Sequence, residues 1–523
     1  MGMVAPKRRI ASAFFVVLGE YGDVTRHANE EGISRQLVYR EAKKVQDVLD
    51  ASQEKIRGLE QRVRELEQQQ AVSEQRLAQA VVLDEAKQAE FAVEGQARGV
   101  GLANSYALMD VLIPGQVLSV PTLGRRVKAA EEKAGPLLAV LDEFTRPLVR
   151  DGAADELYVN DPVLMTVEQE SLCWLVGHLS DKVDGETWAK EFRHFPNLEQ
   201  VARDGGKGLA KGVALVNAER AAQDQPPLVD KGDHFHALRG AGVGLRRAQM
   251  QASKALAAAE EAQQQLEECQ RQGQPAQGPG HHAGSLWSKA EQAMDAWSAL
   301  EQTWQHTKEA MRLITPTGDL NSRAQAEAVL AQTLPQLPDS AFAKTKRQLQ
   351  KPEMLNYLDH VHEKIEALPF PAEVKQAAVR QESLKRQPEV LKGENPTAAA
   401  LRGVLLVCAV VLAKADEVNQ MGQQAVAAAR DIFRRAYRAS SLVECINSAI
   451  RMHQYRHRRM TQGLLDLKRL YWNCHTFRTG HRRRTSPYQR LGVPWPEGLR
   501  WWDVLKLTPE QLREKLSTAK MTH

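Results

Sequence analysis

Three acidic residues occupy positions from which they could hold a hard divalent cation. Asp155 lies in AADELYVND, the first of several β-prone runs. Asp204 closes a later run, LEQVARD, and Glu444 lies in SSLVECINSAIRMH, a stretch with helical spacing. If the first and fourth strands are neighbours, the two aspartates stand side by side, and a glutamate from a later helix closes the cluster. Three oxygen donors of this kind suit Mg²⁺ or Mn²⁺ and not zinc. Two such ions can activate a water or a 3′-hydroxyl and stabilise the leaving oxygen of an in-line phosphodiester displacement. Spacing alone is a weak signal, because any α/β domain carries strand-end aspartates and most of them are structural.

The elements that must position these acids are legible in outline. DELYVND, VLMTVEQ and LCWLVGHLS read as an antiparallel meander with tight polar turns. GETWAKEF is helical, LEQVARD a strand, GGKGLAKGVALVNAERA a helix and PPLVDKGDHF a further strand. Strand-strand-strand-helix-strand-helix-strand is an α/β order with helical crossovers. Residues 246–430 then read as an all-helical block, rich in Ala, Gln and Glu, with QGQPAQGPGHHAG as a flexible linker. Its later helices are expected near 285–314, 322–334, 339–366, 371–388 and 398–438.

The N-terminal 50 residues suit a helix-turn-helix. Ala28, Gly32 and Val38 have the spacing of a packed small residue, a turn glycine and a seating residue, and Ser34 can cap the second helix. That helix presents Arg35, Gln36, Tyr39 and Arg40, side chains suited to base edges and phosphates. An ordinary helical hairpin is the plainer alternative. From 51 to 97 the chain reads as a coiled coil and helical linker, with Ile56, Leu59, Val63 and Leu66 on a 3-4-3 seam and Leu77 back in register. This is either a dimerisation arm or a solvated spacer. Residues 98–146 form a second helical module: Gly101–Val111, a turn, and Val120–Lys133 started by Ser119 or Thr122. It reads as a second DNA-reading unit or as a helical linker.

Charge is unevenly spread. The chain carries a net +5, but residues 431–523 hold nineteen Lys and Arg against seven Asp and Glu, so the remainder is net negative. Within that segment the RHRR and HRRR clusters contribute Arg456, Arg458, Arg459, Arg482, Arg483 and Arg484. They are interleaved with Tyr and Trp, as a nucleic-acid backbone and its bases would require. The alternative is a solvated basic surface whose aromatics fill a core. Five widely spaced cysteines without a CxxC pair indicate neither a disulfide framework nor a zinc ribbon, and fit a reducing cytoplasm. The apolar run AFFVVL is short and Glu20 follows where a signal-peptide cleavage region should lie. The longest apolar run, Val404 to Leu412, is well short of a membrane span.

Together AADELYVND, VARDGGKG, DHFHALR and the segment from SSLVECINSAIRMH to RTSPYQRLG resemble bacterial insertion-sequence transposases of the DDE class. The resemblance covers roughly 1–45, 120–240 and 436–495. It implies an RNase H-like catalytic core in which Asp155, Asp204 and Glu444 are the catalytic and metal-binding acids, with two Mg²⁺ or Mn²⁺ ions. It also implies an enzyme that binds its element's ends, cleaves DNA and transfers the freed strand. Asp233 and His236 match an Asp-x-Phe-His segment of such enzymes, as an auxiliary ligand and a phosphate contact; a strand end with packed His is the bland alternative. Asn447, Ser448 and Arg451 share the Glu444 face of their helix.

The expected architecture is multidomain and mainly α with one α/β domain: helix-turn-helix 1–50, coil and linker 51–97, second helical module 98–146, core 147–245, all-helical insertion 246–430, catalytic helix 431–480 and basic aromatic tail 481–523. Expected partners are double-stranded DNA, as terminal inverted repeats and target, and a second copy of the chain, at the nucleoid in the cytoplasm and with no membrane. Two other classes compete. One is a non-catalytic, transposase-derived DNA-binding regulator. The other is a helical scaffold, which has no need of the strand-rich block. DGGKGLAKG does not satisfy GxxxxGK[ST], GAGVG lacks the context of a dinucleotide site, and neither GxSxG nor HExxH occurs.

Overall fold

The computed structural model describes residues 5–79, 83–159, 161–417, 419–437, 439–454 and 460–521. The chain divides into two compact units, 1–84 and 85–523. It is mostly helical, with one mixed five-stranded sheet in the second unit.

The first unit holds α1 (Ala5–Val17), α2 (Asp23–Glu30) and α3 (Arg35–Gln79). Ala28 and Val38 are buried where the two short arms meet. The turn needs a left-handed residue, and Gly32 supplies it at φ +68°, a conformation costly for a side chain with a Cβ. Ser34 Oγ accepts the Leu37 N–H at 3.2 Å and caps α3. A polar knot ties α1 to the rest: Arg8 donates to Glu41 at 2.8 Å, and Ser12 Oγ donates to Glu41 and meets buried His27 at 3.3 Å. The expected boundary at residue 50 does not interrupt α3, which runs on for 45 residues as one helix. On it Ile56, Leu59, Val63 and Leu66 stay about half exposed.

The second unit opens with α4 (Glu85–Ala97), α5 (Leu102–Leu112) and α6 (Val120–Thr145). Ser119 is the cap that starts α6, accepting from the Thr122 N–H. The α6 helix extends twelve residues past the expected end at Lys133 and packs into the main core against the helices Gln462–Cys474 and Pro509–Met521. The module at 98–146 is therefore integral to this unit, and α4 belongs with it and not with the coil.

The sheet comprises β1 (Asp151–Tyr158), β2 (Pro162–Glu168), β3 (Trp174–Leu179), β4 (Gln200–Arg203) and β5 (Val229–Gly232), in the order β3-β2-β1-β4-β5. The first three strands are antiparallel, and β1-β4-β5 are parallel. Helix α7 (Gly185–Arg193) leads into β4, and α8 (Lys207–Ala222) joins β4 to β5. Strand alternation divides the apolar residues between two faces. Ala154, Leu164 and Val201 join Trp188, Phe192, Leu209 and Val213 on one side. Ala153, Leu157, Val163 and Met165 face Val443, Ile446 and Ile450 on the other.

The helical insertion begins earlier than expected, because α9 (His234–Arg271) starts directly after β5. It continues through α10 (Gln277–Ala310), α11 (Arg323–Thr333), α12 (Asp339–Leu349), α13 (Asn356–Glu366), α14 (Ala372–Lys385), α15 (Pro388–Lys392), α16 (Pro396–Asp416) and α17 (Met421–Arg434). Three expectations change here. GPGHHAG belongs to α10 and not to a linker, since Ala and Trp positions behind it anchor the helix. The expected helix 339–366 breaks at Pro352, and 398–438 breaks before Met421, where Asn419 and Gln420 take positive φ. Helix α16 is long and apolar enough to cross a membrane by length and composition, while Cys408 and Leu412 pack into a small core and Ala398 and Leu401 are also buried.

The chain returns through α18 (Ser441–Gln454), α19 (Gln462–Cys474), α20 (Pro487–Leu491), α21 (Trp501–Val504) and α22 (Pro509–Met521). Residues 481–521 pack onto the rest of this unit. Tyr488, Trp501, Val504, Leu512 and Leu516 are buried in the main core, and Trp501 Nε1 donates to Glu94 at 3.2 Å.

The glycines of DGGKGLAKG have a packing role. A Cβ on Gly208 would lie 1.9 Å from the Val183 carbonyl oxygen, and one on Gly212 would lie 2.6 Å from Trp188 Cβ. They let α8 close against α7. Gly208→Ala and Gly212→Ala should each destabilise the chain by about 1–3 kcal/mol or more through overpacking. Gly124→Ala, whose Cβ meets nothing nearer than 3.6 Å, should leave the thermal midpoint unchanged or raise it. Equal melting of all three variants would contradict this reading of the glycines.

Candidate active site

Parallel pairing places the acids. The β1–β4 ladder ends at Ala154 opposite Arg203, and the β4–β5 ladder ends at Arg203 opposite Gly232. The next residue on each strand is Asp155, Asp204 and Asp233, so the three aspartates stand abreast across adjacent strands. Ala153, two residues before Asp155, faces α18, and Asp155 shares that face by alternation.

Asp155 is 7% exposed. Its Oδ1 accepts the Glu156 N–H at 2.8 Å, and its Oδ2 accepts Asn447 Nδ2 at 3.2 Å. Burial, with Asp204 and Glu444 adding like charge, pushes its pKa up to about 6, against the pull of the Glu156 N–H and of His236. Asp204 Oδ1 accepts the Gly206 N–H at 2.9 Å. Glu444, in the first turn of α18, pairs with Arg451 at 2.8 Å.

Asp233 caps α9 and is held from three sides. Its Oδ1 accepts the Phe235 N–H at 2.7 Å, while Oδ2 meets both His236 Nδ1 and Ser440 Oγ at 2.6 Å. Burial works to raise its pKa, but the hydrogen bonds from His236 and Ser440 outweigh it and hold it below the usual carboxylate range. His236 is raised in turn, by the Asp233 hydrogen bond first and by Asp155 and Asp204 further off. His236 thus interacts with all three aspartates of the row.

The structure therefore brings together Asp155, Asp204, Glu444, Asp233, His236, Asn447 and Arg451 around one end of the sheet. Asn447 and Arg451 are spent on the acids themselves. Among the described residues no three His, Cys, Asp or Glu side chains stand close enough to hold a metal ion. The donor chemistry nonetheless fits a hard cation, since Asp155, Asp204, Asp233 and Glu444 all offer carboxylate oxygens. Arg35, Gln36, Tyr39 and Arg40 are all exposed on α3 in the first unit. Arg456, Arg458 and Arg459 lie outside the described residues. Arg483 and Arg484 line a cleft of about 830 Å³ with Arg98, Trp495, Trp501 and Trp502. Arg482 instead donates to the Glu170 carbonyl at 2.9 Å.

Sequence reasoning missed Ser440 and a polar layer one step below the acids. There Asp151 pairs with Arg435 at 2.6 Å, Gln200 Nε2 donates to Asp151, and fully buried Lys231 lies close enough to feel both charges. Ser440-Ser441 before an apolar helix reads as a cap, and only the fold sends the Ser440 hydroxyl to Asp233. Comparison of the chain with protein-family models, curated proteins and solved structures gives no match.

The crowding has a measurable sign. Folded Asp155 keeps its proton to about pH 6, whereas an unfolded Asp loses it near pH 4. Between those values the folded chain binds more protons, so stability falls as pH rises through the window. In EDTA, Asp155→Asn should raise stability at pH 8 by roughly 1–3 kcal/mol and give no gain at pH 4. A thermal midpoint at pH 8 equal to or below wild type would show that burial and the neighbouring acids do not disfavour the Asp155 charge.

Proposed function

We propose that this chain is a DDE-type transposase of a bacterial insertion sequence, with an RNase H-like core and a helical insertion between its second and third catalytic acids. The observation that carries the reading is the row Asp155, Asp204, Asp233 with Glu444 approaching from α18. The sheet order supports it, since the first and fourth strands are parallel neighbours, as the resemblance requires.

Asp155, Asp204 and Glu444 would hold two Mg²⁺ or Mn²⁺ ions. When bound, these supply an activated water or 3′-hydroxyl and stabilise the leaving oxygen. The chain's own residues do the rest. Asn447 fixes the Asp155 carboxylate, so the metal-binding oxygens keep one orientation. Asp233 orients His236 by accepting from Nδ1, and Nε2 would donate to a phosphate oxygen when the imidazole is protonated, a state that the Asp233 hydrogen bond favours. Arg451 holds Glu444 in place. The exposed Arg35, Gln36, Tyr39 and Arg40 would read the element's ends, and the half-exposed seam of α3 would pair with a second copy. The protein would then act on double-stranded DNA in the cytoplasm, at the nucleoid. The competing reading, a non-catalytic DNA-binding regulator, draws on the Arg451–Glu444 pair, which occupies one acid.

A labelled duplex carrying the sequence that flanks the gene separates the two. Asp204→Asn and Glu444→Gln should lower Mg²⁺-dependent nicking by 10³-fold or more while end binding persists in a gel shift. Asp155→Asn should do the same. An acid variant that still nicks at the normal rate removes that residue from the site, and a wild-type chain that binds ends without nicking favours the regulator. Arg35→Ala with Arg40→Ala should weaken end binding about tenfold or more and flatten its salt dependence.

A further inference from the structure

A cleft of about 780 Å³ opens beside the acid row, between the insertion and the C-terminal elements. Its walls carry Lys308 and Arg312 from the end of α10, Arg434 from the end of α17, and Arg482 and Arg490 from the region around α20. Glu170 is the one carboxylate in the lining; it takes Arg434 at 2.7 Å and lies 3.9 Å from Arg490. Arg434 also reaches Asp431 at 2.8 Å. Among the described residues Lys308 and Arg312 have no acidic partner, and buried Arg490 Nε has no hydrogen-bond acceptor. His481 on the rim is held below its usual range, mainly by Arg482, as a positive field would do. Two rings, Phe235 and Tyr437, stand among these cations.

The cleft touches the acid site through the chain itself. Phe235 follows Asp233 by two residues and its N–H is bonded to it. Ala439, also in the lining, precedes Ser440, whose hydroxyl meets Asp233.

We propose that this cleft binds the sugar-phosphate backbone of a single DNA strand entering or leaving the acid site, with Lys308, Arg312 and Arg490 on phosphates and Phe235 or Tyr437 against a base. This rests on the nucleic-acid reading above and gives the insertion a role in that reading. Among the described residues Arg434 is matched by Glu170 and Asp431, but Lys308 and Arg312 are not, and Arg490 shares Glu170 at 3.9 Å, a set of separated cations that suits a polyanion. Rings between cations suit bases better than an acidic peptide. The volume fits one or two nucleotides, within the ordinary range for ligand clefts.

The test uses the full chain in EDTA, a fluorescent oligo-dT of twenty nucleotides, and anisotropy across a salt series. Arg312→Glu and Lys308→Glu should each weaken binding about three- to tenfold and reduce the salt slope by roughly 0.7 or more. Arg312→Gln should act in the same direction, and Lys289→Glu, an exposed α10 position outside the cleft, should leave affinity within twofold. Wild-type oligo-dT affinity in both reversals, or an equal loss in Lys289→Glu, overturns the proposal. Competition by hexaglutamate as effective as by unlabelled oligo-dT would point to a protein partner instead. Full displacement by micromolar pyrophosphate would point to a free phosphate ligand. The two readings fail separately. If the acid variants still nick while Arg312→Glu loses oligo-dT, the catalytic assignment falls and the cleft stands. If nicking follows the acids and the reversals bind normally, only the cleft falls.

Discussion

The register of two parallel ladders is the constraint from which the site follows. β4 lies between β1 and β5 and is parallel to both, so strand ends that are distant in sequence reach the same edge together. With an aspartate next on each strand, three carboxylates are forced abreast in a partly buried position. Like charges at such spacing cannot all ionise freely without compensation. The surroundings answer residue by residue. His236 and Ser440 serve Asp233, Asn447 serves Asp155, and Arg451 serves Glu444. Asp155 keeps a raised pKa all the same, through its burial first and then through the like charge of Asp204 and Glu444.

The same edge explains how so long an insertion is accommodated. The chain leaves the sheet at Asp233 and comes back at Ser440, and these residues, 207 positions apart, are joined by a 2.6 Å hydrogen bond. An excursion whose ends meet costs little more closure entropy when it is long than when it is short. Its own cores make it self-supporting, with Trp304, Phe342, Tyr357 and Leu358 in one and Ala378, Leu412 and Ala425 in another. Further ties dock it: Arg435 on Asp151, Lys364 on Glu199 at 2.6 Å, and Arg203 shared between Asp230 and Glu353. A buried ion pair such as Asp151–Arg435 contributes little net stability against its hydrophobic equivalent but is costly to break, so it fixes where the insertion returns.

How much of this could be read from the sequence depended on whether the signal was local. Strand alternation and turn residues are local, and β3, β4 and β5 fall within the runs that carry them, while β1 begins at Asp151 and β2 at Pro162, ahead of theirs. The turn at Gly32 and the burial of Ala28 and Val38 follow from steric needs that three spaced residues express. The adjacency of Asp155 and Asp204 was legible only as a condition on strand order. The roles of Ser440, Asp151 and Lys231 depend on contacts between residues 49 to 284 positions apart and have no local signature. Aromatics misled in the C-terminal segment: Tyr488 and Trp501 look like stacking platforms beside arginines, yet burying their large apolar area in the core outweighs exposure. GPGHHAG misled because Gly and Pro at the start of a long helix are cheap once tertiary packing holds the rest.

A row of carboxylates is, by itself, a poor place for a phosphodiester. On the proposed reading, a strand approaching Asp155, Asp204 and Glu444 meets repulsion that metal ions relieve only at the reacting phosphate. Phosphates to either side need cations held elsewhere, close enough to act and far enough not to neutralise the acids. The charge distribution of the chain matches that need. The basic excess of residues 431–523 places Arg482 and Arg490 on one wall, and the otherwise acidic body spares Lys308 and Arg312 for the other. A net charge of +5 hides this separation, since opposite signs on neighbouring surfaces cancel in the sum while their fields at the cleft and at the acids do not. The helical insertion can thus be understood as the second wall of a channel whose first wall the C-terminal segment builds, with the acid row at its end.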